Sequence, residues 1–249
     1  MEVRLLNATE NPERLVCQAA RNDYMEEYVG ETAFAEVMAD IDGETLAEKK
    51  ETLVHRLLAH GHFGPFEHPH ATFAIEGVSR SCMAQLTRHR HASFDIQSMR
   101  YVEFDEADPD PGEIYVRIPE LDEAGLAGRN AELAEKHRDL SDPELLDRRR
   151  ERYHESIEAS FDAYGDLLEL GVAPENARMV LPIGTTVNIV VTLNARTLMH
   201  VGDLRAAADA QWEIRDMTEQ MLDLAAEWCP HTFEYYRAEM QGRKNRLAP

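Results

Sequence analysis

Gln85 to Tyr101, QLTRHRHASFDIQSMRY, holds the side chains best suited to chemistry on an anion. Arg88, Arg90 and Arg100 fall within thirteen residues, interleaved with His89, His91, Ser93 and Ser98, and only Asp95 opposes them. Arginine grips phosphate or carboxylate through a planar fork of N–H donors. Such runs are also common on solvated faces, paired with nearby acids, and this chain has many acids. A formal charge of −21 makes a locally cationic island the less expected outcome, which favours the anion-site reading.

Seven of the eleven histidines lie between 55 and 91. His62, His68 and His70, with Glu67, are ligand types for zinc, so a metal hydrolase is an alternative reading. Their spacing does not place two imidazoles one helical turn apart, as HExxH does. Ser98 is better placed as a hydrogen-bond donor to phosphate than as a nucleophile, for no base and orienting group are assigned to it. Cys17, Cys82 and Cys229 sit inside apolar patterns, where burial makes thiols inert.

The elements that position these residues are legible in the periodicity. Residues 12–29 read as a helix with Pro12 in its first turn. Thr45 and Glu48 stand at capping-box spacing before Leu46, Leu53, Leu57 and Leu58, and Gly61 ends that helix. HATFAIEGV, 70–78, alternates as a strand, and Ser79 caps a short helix that delivers Gln85 and Arg88 to its end. Residues 103–113 hold six acids and two prolines and read as a loop. From 120 to 152 the chain is charged and helix-prone, with Pro143 as a break. Tyr153 to Leu168 forms an amphipathic helix, Thr186 to Leu193 a second strand, and Ile214 to Trp228 a last long helix before Pro230. Helices with few strands and no βαβ alternation predict an α+β fold of long helices packed with a small sheet. The expected organisation is a single catalytic domain, 1–249, with an exposed charged excursion at about 103–152.

Composition narrows the function. Acids number 47 against 26 bases, of which four are lysines, so the chain is poorly equipped for nucleic acid. An RNA-binding role for 85–101 is the weakest alternative. No apolar run of about 18 residues is present to span a membrane. An odd number of cysteines at unrelated spacings fits a reduced, cytoplasmic setting.

RHRHASFDIQSMRY closely resembles the RHRxxSxNxxSxRY signature of flavin-dependent thymidylate synthases. GHFGPFEH (61–68), ARMVLP (177–182) and LNARTLMHVGDLRAAADAQWEI (193–214) are similar to further segments of that family, so the resemblance covers most of 14–101 and 153–236. It implies methylation of dUMP to dTMP, with methylenetetrahydrofolate as one-carbon donor and NADPH-reduced FAD. It further implies a homotetramer whose sites are shared between subunits. Residue by residue, it assigns Gln85, Leu86, Thr87, Arg88, Gln97, Ser98, Met99, Arg100, Arg178 and Arg205 to dUMP, with Arg205 at the pyrimidine edge as the catalytic group. It assigns His62, Gly64, Glu67, Arg88, His89, Arg90, Ile96, Asn194, Ala195, Arg196 and His200 to FAD. Asp95 stands where the signature has Asn, Ile96 where an acid is frequent, Asp23 where a hydroxyl residue is usual, and His200 where Asn is common.

The acidity generates a prediction of its own. A salt-adapted protein gains from screening of acidic self-repulsion. Melting temperature should therefore rise as KCl is raised into the molar range, and a flat or falling curve would assign the acidity another cause.

Overall fold

The computed structural model describes residues 1–100, 114–121 and 143–243. The loop expected at 103–113 lies outside them, as does most of the charged stretch 120–152. The chain divides into two compact units. One comprises 1–76, 84–95 and the chain from 189 onward; the other comprises 77–83 and 96–188.

The architecture is α+β, with four strands in one antiparallel sheet of order β1-β2-β4-β3. The strands are β1 (Glu2–Ala8), β2 (His70–Ser79), β3 (Ala92–Ile96) and β4 (Thr186–Asn194). β1 pairs antiparallel with β2, Val3 opposite Ile75 and Leu5 opposite Phe73. The alternation read in 70–78 is the burial pattern found: Ala71, Phe73 and Ile75 are buried while Glu76 is exposed.

Around the sheet in the first unit run α1 (Pro12–Asn22), α2 (Leu46–Ala59), α5 (Ala195–Arg205), α6 (Trp212–Trp228) and α7 (Pro230–Tyr235). α2 begins with the expected capping box: Thr45 Oγ1 accepts from Glu48 N, and the Glu48 carboxylate accepts from Thr45 N. It ends at Gly61, whose φ of 73° closes the turn while His62 N–H bonds the Leu57 carbonyl at 2.9 Å. α1 stops at Asn22, short of the 12–29 expected. Tyr24 and Tyr28, the residues that would continue a packed face, are solvent-exposed, so no burial supports further turns. β1 is tied to α6 through Val3 N–H to Gln220 Oε1, and Trp228 Nε1 donates to the Thr9 carbonyl at 3.0 Å.

In the second unit, α4 (Pro143–Glu169) is longer than the segment read from Tyr153. Pro143 is its first residue rather than a break, since proline lacks only an N–H that the first turn leaves unused. Ile114 and Tyr115 are buried against Ile157 and Phe161 of α4, and Tyr153 Oη donates to the Val116 carbonyl at 2.8 Å. Within the stretch expected to be exposed, 103–152, the described residues divide: Ile114, Tyr115, Leu121 and Leu146 are buried, while Arg117, Asp147, Arg148, Glu151 and Arg152 are exposed. The short helix α3 (Arg80–Leu86) opens as read, with Ser79 Oγ accepting from Cys82 N at 3.0 Å.

α5 is packed close at Gly202. A Cβ there would sit 2.7 Å from Tyr236 Oη and 3.3 Å from Leu222 Cδ1. Tyr236 is buried, and its hydroxyl reaches the Met199 carbonyl at 2.9 Å and Asp203 Oδ1 at 2.8 Å. Gly202→Ala should therefore destabilise by about 1–3 kcal/mol despite alanine's better helix propensity. Urea unfolding checks this, and an unchanged or raised midpoint would show that α5 can shift away from Tyr236.

Candidate active site

Strand β4 passes directly into α5, and Asn194 is the hinge residue. Its side-chain oxygen accepts from Thr197 N at 2.8 Å and so caps the helix. The first helical N–H, of Ala195, bonds the Pro69 carbonyl at 3.0 Å, which ties the start of α5 to the end of GHFGPFEHP. Arg196 is thereby set against Glu67, with which it forms an ion pair, and its guanidinium carbon lies 5.9 Å from the Phe63 ring centroid. A cavity of about 350 Å³ is lined by Glu67, His91, Asn194, Arg196, Thr197 and His200. Its size is at the lower end for a cofactor pocket. Imidazoles, amide, hydroxyl and guanidinium around it are polar partners suited to a flavin's ring system and its polar edge. His91 and Thr197 are lining residues that the sequence reading did not assign.

At the other end of α5, Arg205 turns to the signature segment. Its Nε donates to His89 Nε2 at 3.0 Å and its Nη2 to the Gln85 carbonyl at 3.1 Å. His89 is 7% exposed, and its ring stands edge-on to that of His200 with centroids 5.9 Å apart. Burial lowers its pKa to about 4, helped by the charges of Arg205, His200 and Arg88, so the imidazole is neutral at physiological pH. Arg88 and Arg90 flank it with exposed side chains, and neither has an ion-pair partner among the described residues. Leu86 points into the core, its carbonyl accepting from His89 N, and Thr87 is half-buried.

The second unit gathers its own cations. Gln97 is fixed on β4: its N–H bonds the Asn188 carbonyl at 2.9 Å and its Oε1 accepts from Asn188 N at 3.2 Å. Ser98 Oγ accepts from Arg100 N, Met99 is buried, and Arg100 Nε lies 3.8 Å from Glu175 Oε2. Arg178 Nε donates to the Glu175 carbonyl at 3.0 Å. Arg80 joins this group, although the sequence reading passed over it. Its Nη1 is 2.9 Å from Met99 Sδ, and burial together with the charge of Arg178 holds its pKa below the ordinary guanidinium value. Among the described residues no carboxylate pairs with it. The signal was available: Arg80 is the one charged residue in GVSRSCM, between an apolar strand and an apolar helix start.

Other candidates stand apart from these groups. His62 is exposed and stacks on His60, Gly64 opens a 3-10 turn, Ala195 is buried, and Ile96 ends β3 half-buried. His70 Nδ1 bonds the His68 carbonyl at 2.8 Å, and among the described residues no three His, Cys, Asp or Glu side chains converge as a metal site. Cys17, Cys82 and Cys229 are buried and unpaired to one another, and burial pushes the Cys17 thiol up to about 12. No described helix is long and apolar enough to cross a membrane.

Comparison with known proteins agrees across the whole length. The chain is similar to the flavin-dependent thymidylate synthases of Haloarcula marismortui, 61% identical over 252 residues, and of Halobacterium salinarum, 60% identical over 252 residues, each alignment spanning 100% of both proteins. Among solved structures it is similar to the UMP/dUMP methylase PolB of Streptomyces cacaoi bound with 5-Br dUMP, with a TM-score of 0.71 and 29% identity over 100% of this chain and 97% of that one. A family model matches residues 4–231, and with relatives this similar the chain belongs to the thymidylate synthase complementing protein family.

Proposed function

We propose that the chain is a flavin-dependent thymidylate synthase that methylates dUMP to dTMP, taking one carbon from methylenetetrahydrofolate and reducing equivalents from NADPH through FAD. The reading takes residues 1–249 as one catalytic domain, assembled into a cytoplasmic homotetramer with shared sites and acting on no nucleic acid or membrane. The observation that carries it is the meeting of two matched segments 116 residues apart, where Arg205 is bonded to His89 and Gln85. Arginine anchored on two of its nitrogens presents a fixed cation, and a fixed cation is what a pyrimidine ring gaining negative charge requires.

The assignments of the other side chains follow from charge. A nucleotide monophosphate brings about two negative charges and a flavin dinucleotide about two more, so both need several cations at close quarters. Arg100, Arg178 and Arg80 fit the nucleotide phosphate, with Ser98 and the backbone around it as added donors. Arg88 and Arg90 fit the flavin phosphates. Glu67, Asn194, Arg196 and His200 line the cavity that fits the flavin ring. FAD, when bound, supplies the redox step; the protein binds, orients and excludes water.

The test is dTMP formation from dUMP and methylenetetrahydrofolate by FAD-loaded protein with NADPH, run in parallel with UMP because the structural neighbour is a UMP/dUMP methylase. No product from either nucleotide would overturn the reading. Arg205→Ala should lose roughly 10²–10³ in turnover, comparable to removing a preorganised oxyanion donor at about 2.7–4 kcal/mol, with flavin content retained. Arg205→Lys should recover little, since a point charge cannot reproduce the planar fork. Near-normal turnover in Arg205→Ala would remove Arg205 from the reaction.

A further inference from the structure

We propose that His89 is the positioning residue for Arg205, its unprotonated Nε2 fixing the plane of the guanidinium by accepting the Nε–H. This rests on the reading of Arg205 as the group that faces the pyrimidine, and gives His89 a task beyond the flavin-phosphate position its motif implies.

Arginine has donors only, so the nitrogen that meets Arg205 Nε at 3.0 Å must carry no proton, and the ring's remaining proton belongs on Nδ1. A planar guanidinium held at Nε by an imidazole and at Nη2 by the Gln85 carbonyl has little rotational freedom left. The choice of acceptors is informative. A carboxylate at either position would orient Arg205 equally well but would offset its charge. An imidazole and a peptide carbonyl orient it without themselves offsetting its charge. His89 is itself held: its N–H bonds the Leu86 carbonyl at 3.1 Å, and its ring is packed away from solvent against His200. The charged and titratable groups around it are Arg205 and His200 from α5 and Arg88 from its own segment. All are cationic or able to become so, and they keep the ring neutral and accepting.

The experiment uses FAD-loaded full-length protein and four variants: His89→Gln, His89→Leu, Arg205→Ala and the His89→Leu/Arg205→Ala pair. Turnover, KM for dUMP, flavin content and melting temperature are read for each. Loss of a hydrogen bond to a charged group predicts a turnover about tenfold to a hundredfold lower for His89→Leu, with KM for dUMP and flavin content little changed. His89→Gln, whose side-chain oxygen can accept, should recover most of that loss. Against the Arg205→Ala background His89→Leu should cost little more, because the group it positions is gone. Equal losses in both backgrounds, or failure of Gln to do better than Leu, would overturn the proposal. So would a His89→Leu defect cured by saturating FAD, which would leave His89 as a flavin ligand alone. If His89→Leu does not fold, His89→Ala, which also lacks an acceptor, decides by the same non-additivity when compared with wild type and in the Arg205→Ala background. Full activity in Arg205→Ala would instead sink the underlying role of Arg205, and is read separately.

Discussion

Each unit has to hold guanidinium groups in place without spending their charge on carboxylates, and the supports around those groups answer that constraint. Two like charges near each other in a partly desolvated setting repel, and burial of either adds to the cost. The chain meets this with neutral acceptors. Arg205 is held by an imidazole and a peptide carbonyl, Arg178 by the Glu175 carbonyl, and Arg80 lies against a thioether. Arg100 and Arg196 lean on carboxylates, and both of those pairs are solvent-exposed and worth about 0–1 kcal/mol. The neutral acceptors thus orient these cations without themselves offsetting the charge.

Orientation of that kind requires rigid supports, and α5 supplies them in the first unit. Its start is pinned by the Asn194 cap and the Ala195-to-Pro69 bond, and its middle by the close approach of Gly202 to Tyr236. Between those anchors Leu198, Met199 and Val201 are buried, so the helix has one seating. Arg196 and Arg205 stand at its two ends, one at the cavity and one at the signature segment. A helix pinned at its start and its middle sets the spacing between the two arginines, and a shift of the helix would misplace both.

The local signals in the sequence were strong where chemistry and propensity coincided. The Thr45–Glu48 capping box, the alternation of 70–78, the Ser79 cap and the break before Pro230 all appear in the structure as read. The site's cationic content was legible for the same reason: arginine in so acidic a chain stands out. What the sequence could not supply was partner choice. Asp203 and Asp209 are the carboxylates nearest Arg205 in sequence, yet folding bonds Arg205 to His89 and Gln85, more than a hundred residues away. Arg80 was missed because a single charge in an apolar stretch has no periodicity to mark it. Pro143 was misread as a break because proline at a helix start and proline between helices look alike without the preceding turn.

The acidity and the cationic site act over different distances, and that resolves their apparent opposition. A net charge of −21 repels a dianionic nucleotide at long range, which slows encounter when salt is low. The contacts proposed for Arg100, Arg178 and Arg205 operate at hydrogen-bond distance. Salt near 1 M shortens the screening length to about 3 Å, which removes the long-range repulsion while leaving direct guanidinium contacts nearly intact. An acidic surface therefore costs such an enzyme least where its own self-repulsion is also best screened. The same screening leaves partly buried cations to be separated by their supports alone, which is the work that His89, the Gln85 carbonyl and the ends of α5 perform.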